Sequence, residues 1–266
     1  GKFHPVSPAR IVDTRLGQGV PRAITPGDGR NSDPNSNNRL SSRLGHEFRI
    51  TGVGGVPTTG VSAVLLNVTV TGGTAAGSMR LIPKPPRSAA WVDQSSYPTA
   101  NTQMAGVHWG AGETRASLQL VKVGVGGRVR LDSLSWGSVH LVVDVAGWVD
   151  ESQPGQGGDR LLTVDPARLL DTRDGTGAAA RPVGPGGTVE LQVDGRPGVP
   201  AGCAAVAINV TVTEPTEPSF LTAWPAGEPR PFAASINMVA GQTVPNLVLA
   251  RVGADGKIGL FNHGGE

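Results

Sequence analysis

The segment Pro8-Ala9-Arg10-Ile11-Val12-Asp13-Thr14-Arg15 returns as Pro166-Ala167-Arg168-Leu169-Leu170-Asp171-Thr172-Arg173, and further blocks follow in the same order. Gly55-Val56-Pro57 answers Gly198-Val199-Pro200, and Asn67-Val68-Thr69-Val70-Thr71 answers Asn209-Val210-Thr211-Val212-Thr213. Ala111-Gly112-Glu113-Thr114 with the run Leu118–Gly124 matches Ala240-Gly241-Gln242-Thr243 with Leu247–Gly253. Gly127–Leu131 pairs with Gly256–Leu260. An ordered repeat of this kind means that both copies must be built on one scaffold.

The scaffold reads as β. Val64, Leu66, Val68 and Val70 alternate with Leu65, Asn67, Thr69 and Thr71, so one face of that strand is apolar and the other mixed. With 39 glycines and 22 prolines there are turn signals throughout, while a hydrophobic share of 38% argues against disorder. No apolar stretch with helical period stands out. In the first copy strands centre on Arg10–Arg15, Glu47–Thr51, Ala63–Thr71, Ser78–Ile82, Val107–Trp109, Ala116–Val123, Arg128–Leu131 and Val139–Trp148. The expected architecture is therefore all-β: two tandem sandwiches, jelly-roll or Ig-like, of about eight strands each. A barrel of the same strand number is the alternative. The first module covers residues 1–150, a polar Gly/Pro-rich linker 151–159, and the second module 160–266.

The second copy departs from the first at its end. After Gly137 the first copy continues Ser138-Val139-His140-Leu141-Val142-Val143-Asp144-Val145-Ala146-Gly147-Trp148-Val149, whereas the second reaches Leu260-Phe261-Asn262-His263-Gly264-Gly265-Glu266. The last strand of the second module is thus expected to be absent, exposing backbone groups and an apolar strip. Three readings follow: a chain that is a piece of a longer protein, a gap filled by a strand from another subunit, or an open groove for a peptide.

Taken together, Arg168-Leu169-Leu170-Asp171-Thr172-Arg173, Asn209–Thr213, Val244-Pro245-Asn246-Leu247-Val248 and Val143-Asp144-Val145-Ala146-Gly147-Trp148 resemble a repeat module of secreted and cell-surface proteins of actinobacteria. The resemblance implies β-architecture, a secreted or cell-surface location and an accessory role beside hydrolases or other surface domains. It supplies neither a ligand nor catalytic residues. Ser117 stands in the first copy where Asn246 stands in the second.

Composition narrows the function classes. The formal charge is +2 with both signs interspersed, unlike the dense basic face of a nucleic-acid binder. No run of 18 apolar residues is present, so no transmembrane helix is expected. The single Cys203 cannot form an intrachain disulfide or a thiolate metal site, and beside Ala204-Ala205-Val206 it reads as a small core residue. His4, His46, His108, His140 and His263 lack metal-ligand spacing, and neither a nucleophile elbow nor a phosphate-binding loop is found. A non-catalytic protein without a cofactor is expected.

Candidate sites lie in pairs and loops. Asp13 with Arg15, and Asp171 with Arg173, are spaced to form structural ion pairs that fix the first strand of each copy. In an insertion of the first copy, Asp28, Asn31, Asp33 and Asn35 place side-chain oxygens as Ca²⁺ would require, but the insertion lacks a closing acid and Arg30 and Arg39 dilute its charge, so a solvated polar loop is the favoured reading. A second insertion carries Trp91, Asp93, Gln94 and Tyr97, and Trp136 sits in a turn. Aromatic faces beside hydrogen-bonding groups suit sugar rings, or else Trp91 covers an edge of the fold. Trp148 and Trp224 fall in repeated β-blocks and read as core. The expected function is an extracellular binding module for a glycan or cell-envelope polymer. The alternative is an assembly subunit that self-associates by strand addition at the second module's edge.

Overall fold

The computed structural model describes residues 2–19, 40, 45–84, 106–133, 135–151, 167–196 and 199–265. Every regular element among them is a strand. In the first copy these are β1 (Phe3–Asp13), β2 (Gly45–Arg49), β3 (Val61–Thr71), β4 (Gly77–Pro83), β5 (Val107–Trp109), β6 (Arg115–Lys122), β7 (Arg128–Ser133) and β8 (His140–Asp150). In the second they are β9 (Thr188–Gln192), β10 (Ala205–Val212), β11 (Ser219–Pro225), β12 (Ile236–Met238), β13 (Val244–Arg251) and β14 (Lys257–Asn262).

The first eight strands form two four-stranded sheets, ordered β1-β8-β3-β6 and β2-β7-β4-β5. Pairing the first strand with the eighth, and interleaving odd and even strands between two sheets, is the jelly-roll order. The barrel alternative is thereby set aside. Side chains from both sheets meet in one interior: Val64, Leu66, Val68 and Val70 of β3 are fully buried, as are Met79, Val129 and Leu131 opposite. All eight predicted strands are present, but β1 begins earlier than the repeat alone indicated. The Asp150 N–H donates to the Lys2 carbonyl and the Thr14 N–H to the Leu141 carbonyl, so the β1–β8 ladder runs well past the repeated block.

Among the described residues the second copy keeps the same order with six strands. Its larger sheet, β12-β11-β14-β9, reproduces β5-β4-β7-β2, and its smaller sheet, β10-β13, reproduces β3-β6. Its core gathers Leu191, Val193, Ala223, Ile236, Val248, Ile258 and Leu260 from both sheets. Asn246 of β13 reaches across the interior, its side-chain amide donating to the Ser235 carbonyl at 2.8 Å. Positions corresponding to β1 and β8 hold no strand among the described residues. Ala167–Leu170, the counterpart of the end of β1, is irregular, because a β1-type strand draws its ladder from a β8-type neighbour.

The chain divides into two compact units, Arg10–Val145 and a second made of Gly1–Ala9 with Ala146–Glu266. The predicted linker lies, apart from Glu151, outside the described residues.

Candidate functional site

The repeated Arg-x-x-Asp-Thr-Arg block folds the same way in both copies, and its surroundings differ. In the first copy, the Asp13 carboxylate closes β1 and turns back on the chain. It accepts from the Arg15 backbone N–H at 3.1 Å, from Arg15 Nε at 2.9 Å and from Arg15 Nη2 at 2.7 Å. The predicted Asp13–Arg15 pair is therefore made through the turn after the strand, with Arg15 beyond its end. Arg10 adds a fourth contact to Asp13, at 3.4 Å, and lies against Asp144 of β8. Arg10 Nε donates to Asp144 Oδ1 at 3.0 Å and Nη2 to Oδ2 at 3.3 Å, a two-pronged pairing between neighbouring strands. Burial works to raise the Asp13 pKa, but hydrogen bonds and charge from Arg15, with Arg10's charge added, bring it below the usual carboxylate range.

Asp171 repeats this geometry. It accepts from the Arg173 N–H at 3.1 Å, from Arg173 Nε at 2.9 Å and from Arg173 Nη2 at 2.7 Å, and it also binds Arg168. The Arg173 side-chain and backbone hydrogen bonds hold the Asp171 carboxyl far below its ordinary range. The turns share a bridge, Asp13 with Gln18 and Asp171 with Thr176, and differ inside it: the Gln18 N–H donates to the Asp13 carbonyl, whereas the Thr176 N–H donates to the Asp174 carboxylate. A second difference is the carboxylate from the neighbouring strand. The Arg10 side chain is 8% exposed, whereas Arg168, with no counterpart of Asp144 among the described residues, is 64% exposed.

Thr14 and Thr172 show the same difference. Thr14 is fully buried; its N–H donates to the Leu141 carbonyl, and its Oγ accepts from the Leu141 N–H at 2.9 Å. Thr172 is half-buried. Beside it, the inward row of β10, Val206, Ile208, Val210 and Val212, is only partly buried against the core, although its counterparts in β3 are at 0% exposure. β10 pairs with β13 on one side, from Ala205↔Arg251 to Val212↔Val244, and among the described residues has no sheet neighbour on the other. Leu169 and Leu170 of the repeated block pack against the same core as this row, which lies on the edge strand β10. Backbone groups on that edge can pair with an added strand, the apolar row can take its inward side chains, and Arg168 can take an acid.

Other sequence candidates fall elsewhere. Trp91, Asp93, Gln94 and Tyr97, and likewise Asp28, Asn31, Asp33 and Asn35, lie outside the described residues. Trp136 is described and is 75% exposed in its turn. Among the described residues no group of three His, Cys, Asp or Glu side chains is arranged to hold a metal ion. Cys203 is half-buried, which pushes its thiol pKa up. Trp148 is not a core residue: it is half-buried and stacks on His4 with centroids 4.0 Å apart. Trp224 is buried on the sheet face opposite Ala223 and the hydrophobic core, its Nε1 donating to the Glu228 carbonyl at 3.1 Å.

Two features escaped the sequence reading. Arg10 and Arg168 were passed over, although Asp144, a lone acid within Val142-Val143-Asp144-Val145, signalled that a buried cation must stand beside its strand. An aromatic group also gathers on the second copy, where Phe220 stacks on His263 at 4.4 Å and the Arg230 guanidinium lies 3.5 Å over Phe261. Its members come from three separate segments, and no local pattern joins them.

No protein-family model and no curated protein matches the chain. No helix among the described residues is long and apolar enough to cross a membrane.

Proposed function

We propose that this chain is a non-catalytic binding module, at work outside the cell, and that the β10 edge of the second copy takes up an extended segment. The observation that carries the reading is the contrast between copies. Val64, Leu66, Val68 and Val70 are fully buried in a four-stranded sheet, and their counterparts Val206, Ile208, Val210 and Val212 are partly buried in a sheet that has two strands among the described residues. Such an edge takes an extended segment by strand addition, with main-chain hydrogen bonds providing affinity and alternate side chains providing choice. The extracellular location rests on the resemblance to secreted actinobacterial modules. The test is to add a synthetic peptide of sequence Ser138–Asp150 to the whole chain and follow amide exchange. Slowed exchange confined to β10 is expected; unchanged exchange there contradicts the reading.

Trp136 supports a second reading, in which the protein binds a glycan. A ring exposed to 75% in a tight turn offers a flat apolar face of the sort that sugars stack on. Polysaccharide pull-down that weakens on Trp136→Ala supports it, and binding unaffected by Trp136→Ala removes Trp136 from the site.

A further inference from the structure

The sheet β12-β11-β14-β9 of the second copy has an outer face with ring and charge chemistry that the first copy does not share. We propose that this face binds an acidic sugar, a pyranose bearing a carboxylate, with the sugar ring stacked on the His263–Phe220 pair and the carboxylate taken by Arg230. The site stands on a different sheet from β10 and on different residues from Trp136, so it goes beyond both readings above.

Alternation along the strands sets which residues face outward. Leu221, Ala223, Ile258 and Leu260 belong to the core, so Phe220, Thr222 and Trp224 of β11 and Gly259 and Phe261 of β14 lie on the other side. The segment after β11 is fastened to this side. Trp224 Nε1 donates to the Glu228 carbonyl at 3.1 Å, Thr222 Oγ donates to the Ala233 carbonyl at 2.6 Å, and the Ser235 hydroxyl accepts from the Ala223 N–H at 3.0 Å. Between these anchors Arg230 places its guanidinium 3.5 Å over the Phe261 ring. His263, just past β14, stacks on Phe220 at 4.4 Å and meets Phe261 edge-on at 6.4 Å. Arg230, Phe261, His263 and Phe220 thus form one continuous row, in which Phe261 is buried while Arg230 and His263 are exposed.

The scaffold itself does not call for rings here. Thr222 faces Phe261 across β11 and β14 just as Arg80 faces Asp132 across β4 and β7. In the first copy these positions carry the ion pairs Arg80–Asp132 and Arg130–Asp132, so the charges on that face meet one another. In the second copy Arg230 forms no ion pair among the described residues. A guanidinium laid flat on a ring keeps its N–H groups in plane, where they can give two parallel hydrogen bonds to a carboxylate. A flat ring beside it suits the apolar face of a pyranose. A neutral sugar would leave the Arg230 fork unused, and a small anion would leave the rings unused. A sugar acid uses both.

The experiment titrates the whole chain by calorimetry with trimers of galacturonate, glucuronate and mannuronate, with the methyl ester of whichever trimer binds most tightly, and with acetate. That trimer is then titrated against Arg230→Gln, His263→Ala and Trp136→Ala. Arg230 and His263 are exposed, so their variants are expected to fold, and circular dichroism checks this. At least one trimer is expected to bind. Esterification and Arg230→Gln are each expected to weaken that binding about tenfold or more, as losing a hydrogen bond to a charged group does. His263→Ala is expected to weaken it as well, and Trp136→Ala to leave it unchanged. Failure of every trimer to bind overturns the proposal, and so does binding that esterification and Arg230→Gln leave intact. An equal affinity for acetate, or no effect of His263→Ala, overturns the role of the sugar ring. Binding that Trp136→Ala alone removes overturns this site and leaves the Trp136 reading standing.

Discussion

Arg10 Nε lies 3.0 Å from Asp144 Oδ1, and this contact joins two strands that are far apart in the chain, one at each end of the first copy. Both side chains are nearly inaccessible to solvent. The second copy retains the arginine, as Arg168, in the open. The two sites thus present one chemical group in two dielectric environments, and they are expected to answer substitution differently.

Removing Asp144 takes the two-pronged carboxylate partner away from the buried Arg10 charge. Asp144→Ala is expected to cost about 3–5 kcal/mol in urea unfolding followed by fluorescence, the range for breaking a buried pair from one side. Arg168→Ala is expected to leave the midpoint unchanged within error, since exposed pairs contribute little. Equal effects of the two substitutions would show that β8 does not seal the first cluster.

The turn after each Asp-Thr-Arg block depends on a glycine. Gly19 has φ of 70° and Gly177 φ of 71°. A Cβ on Gly19 would sit 1.9 Å from the Ile11 carbonyl oxygen, and one on Gly177 would sit 2.1 Å from that of Leu169. Both the left-handed backbone and the close approach exclude a side chain. Gly19→Ala and Gly177→Ala are each expected to cost about 1–3 kcal/mol in thermal unfolding. A neutral effect at either site would mean that its turn can open without loss.

His46 provides a pH-dependent prediction. Burial lowers its pKa to about 4; the Asp132 charge acts the other way, and Arg130 adds to the lowering. Its Nε2 has no hydrogen-bond partner among the described residues. A histidine in the unfolded chain takes up its proton near pH 6.5, whereas the folded one stays neutral until about pH 4. Stability from this residue is therefore complete above pH 6.5 and is lost as the pH falls from there towards 4. The loss amounts to about 3 kcal/mol at the lower end. Urea unfolding across this window, compared between the unaltered chain and His46→Leu, should show the steeper fall only with the histidine present. Parallel profiles would show that His46 does not titrate as a buried neutral group.

Much of the architecture was readable from local signals. Alternation in Val64–Thr71 and its repeat in Val206–Thr213 placed β3 and β10, and the unmatched run from Ser138 to Val149 pointed to the edge at which the copies differ. Which strands would neighbour each other was not legible, because the jelly-roll order joins β1 to β8 and β3 to β6 across most of the copy. For the same reason Arg10 was not matched with Asp144. The ion pairs at Asp13 and Asp171 were visible because their partners stand two residues away. Their different burial depends on a strand contributed from elsewhere, which spacing cannot reveal.

The most direct test of the account is amide hydrogen exchange of the free chain, comparing β10 with β3. In an antiparallel ladder alternate N–H groups point to opposite neighbours. β3 lies between β8 and β6, so its amides have ladder neighbours on both sides, whereas among the described residues β10 has a sheet neighbour only in β13. The account predicts that every second amide of β10 exchanges at close to the unprotected rate while those of β3 are protected throughout. Uniform protection along β10, matching β3, would mean that its outer edge is already covered and would contradict the open-edge reading.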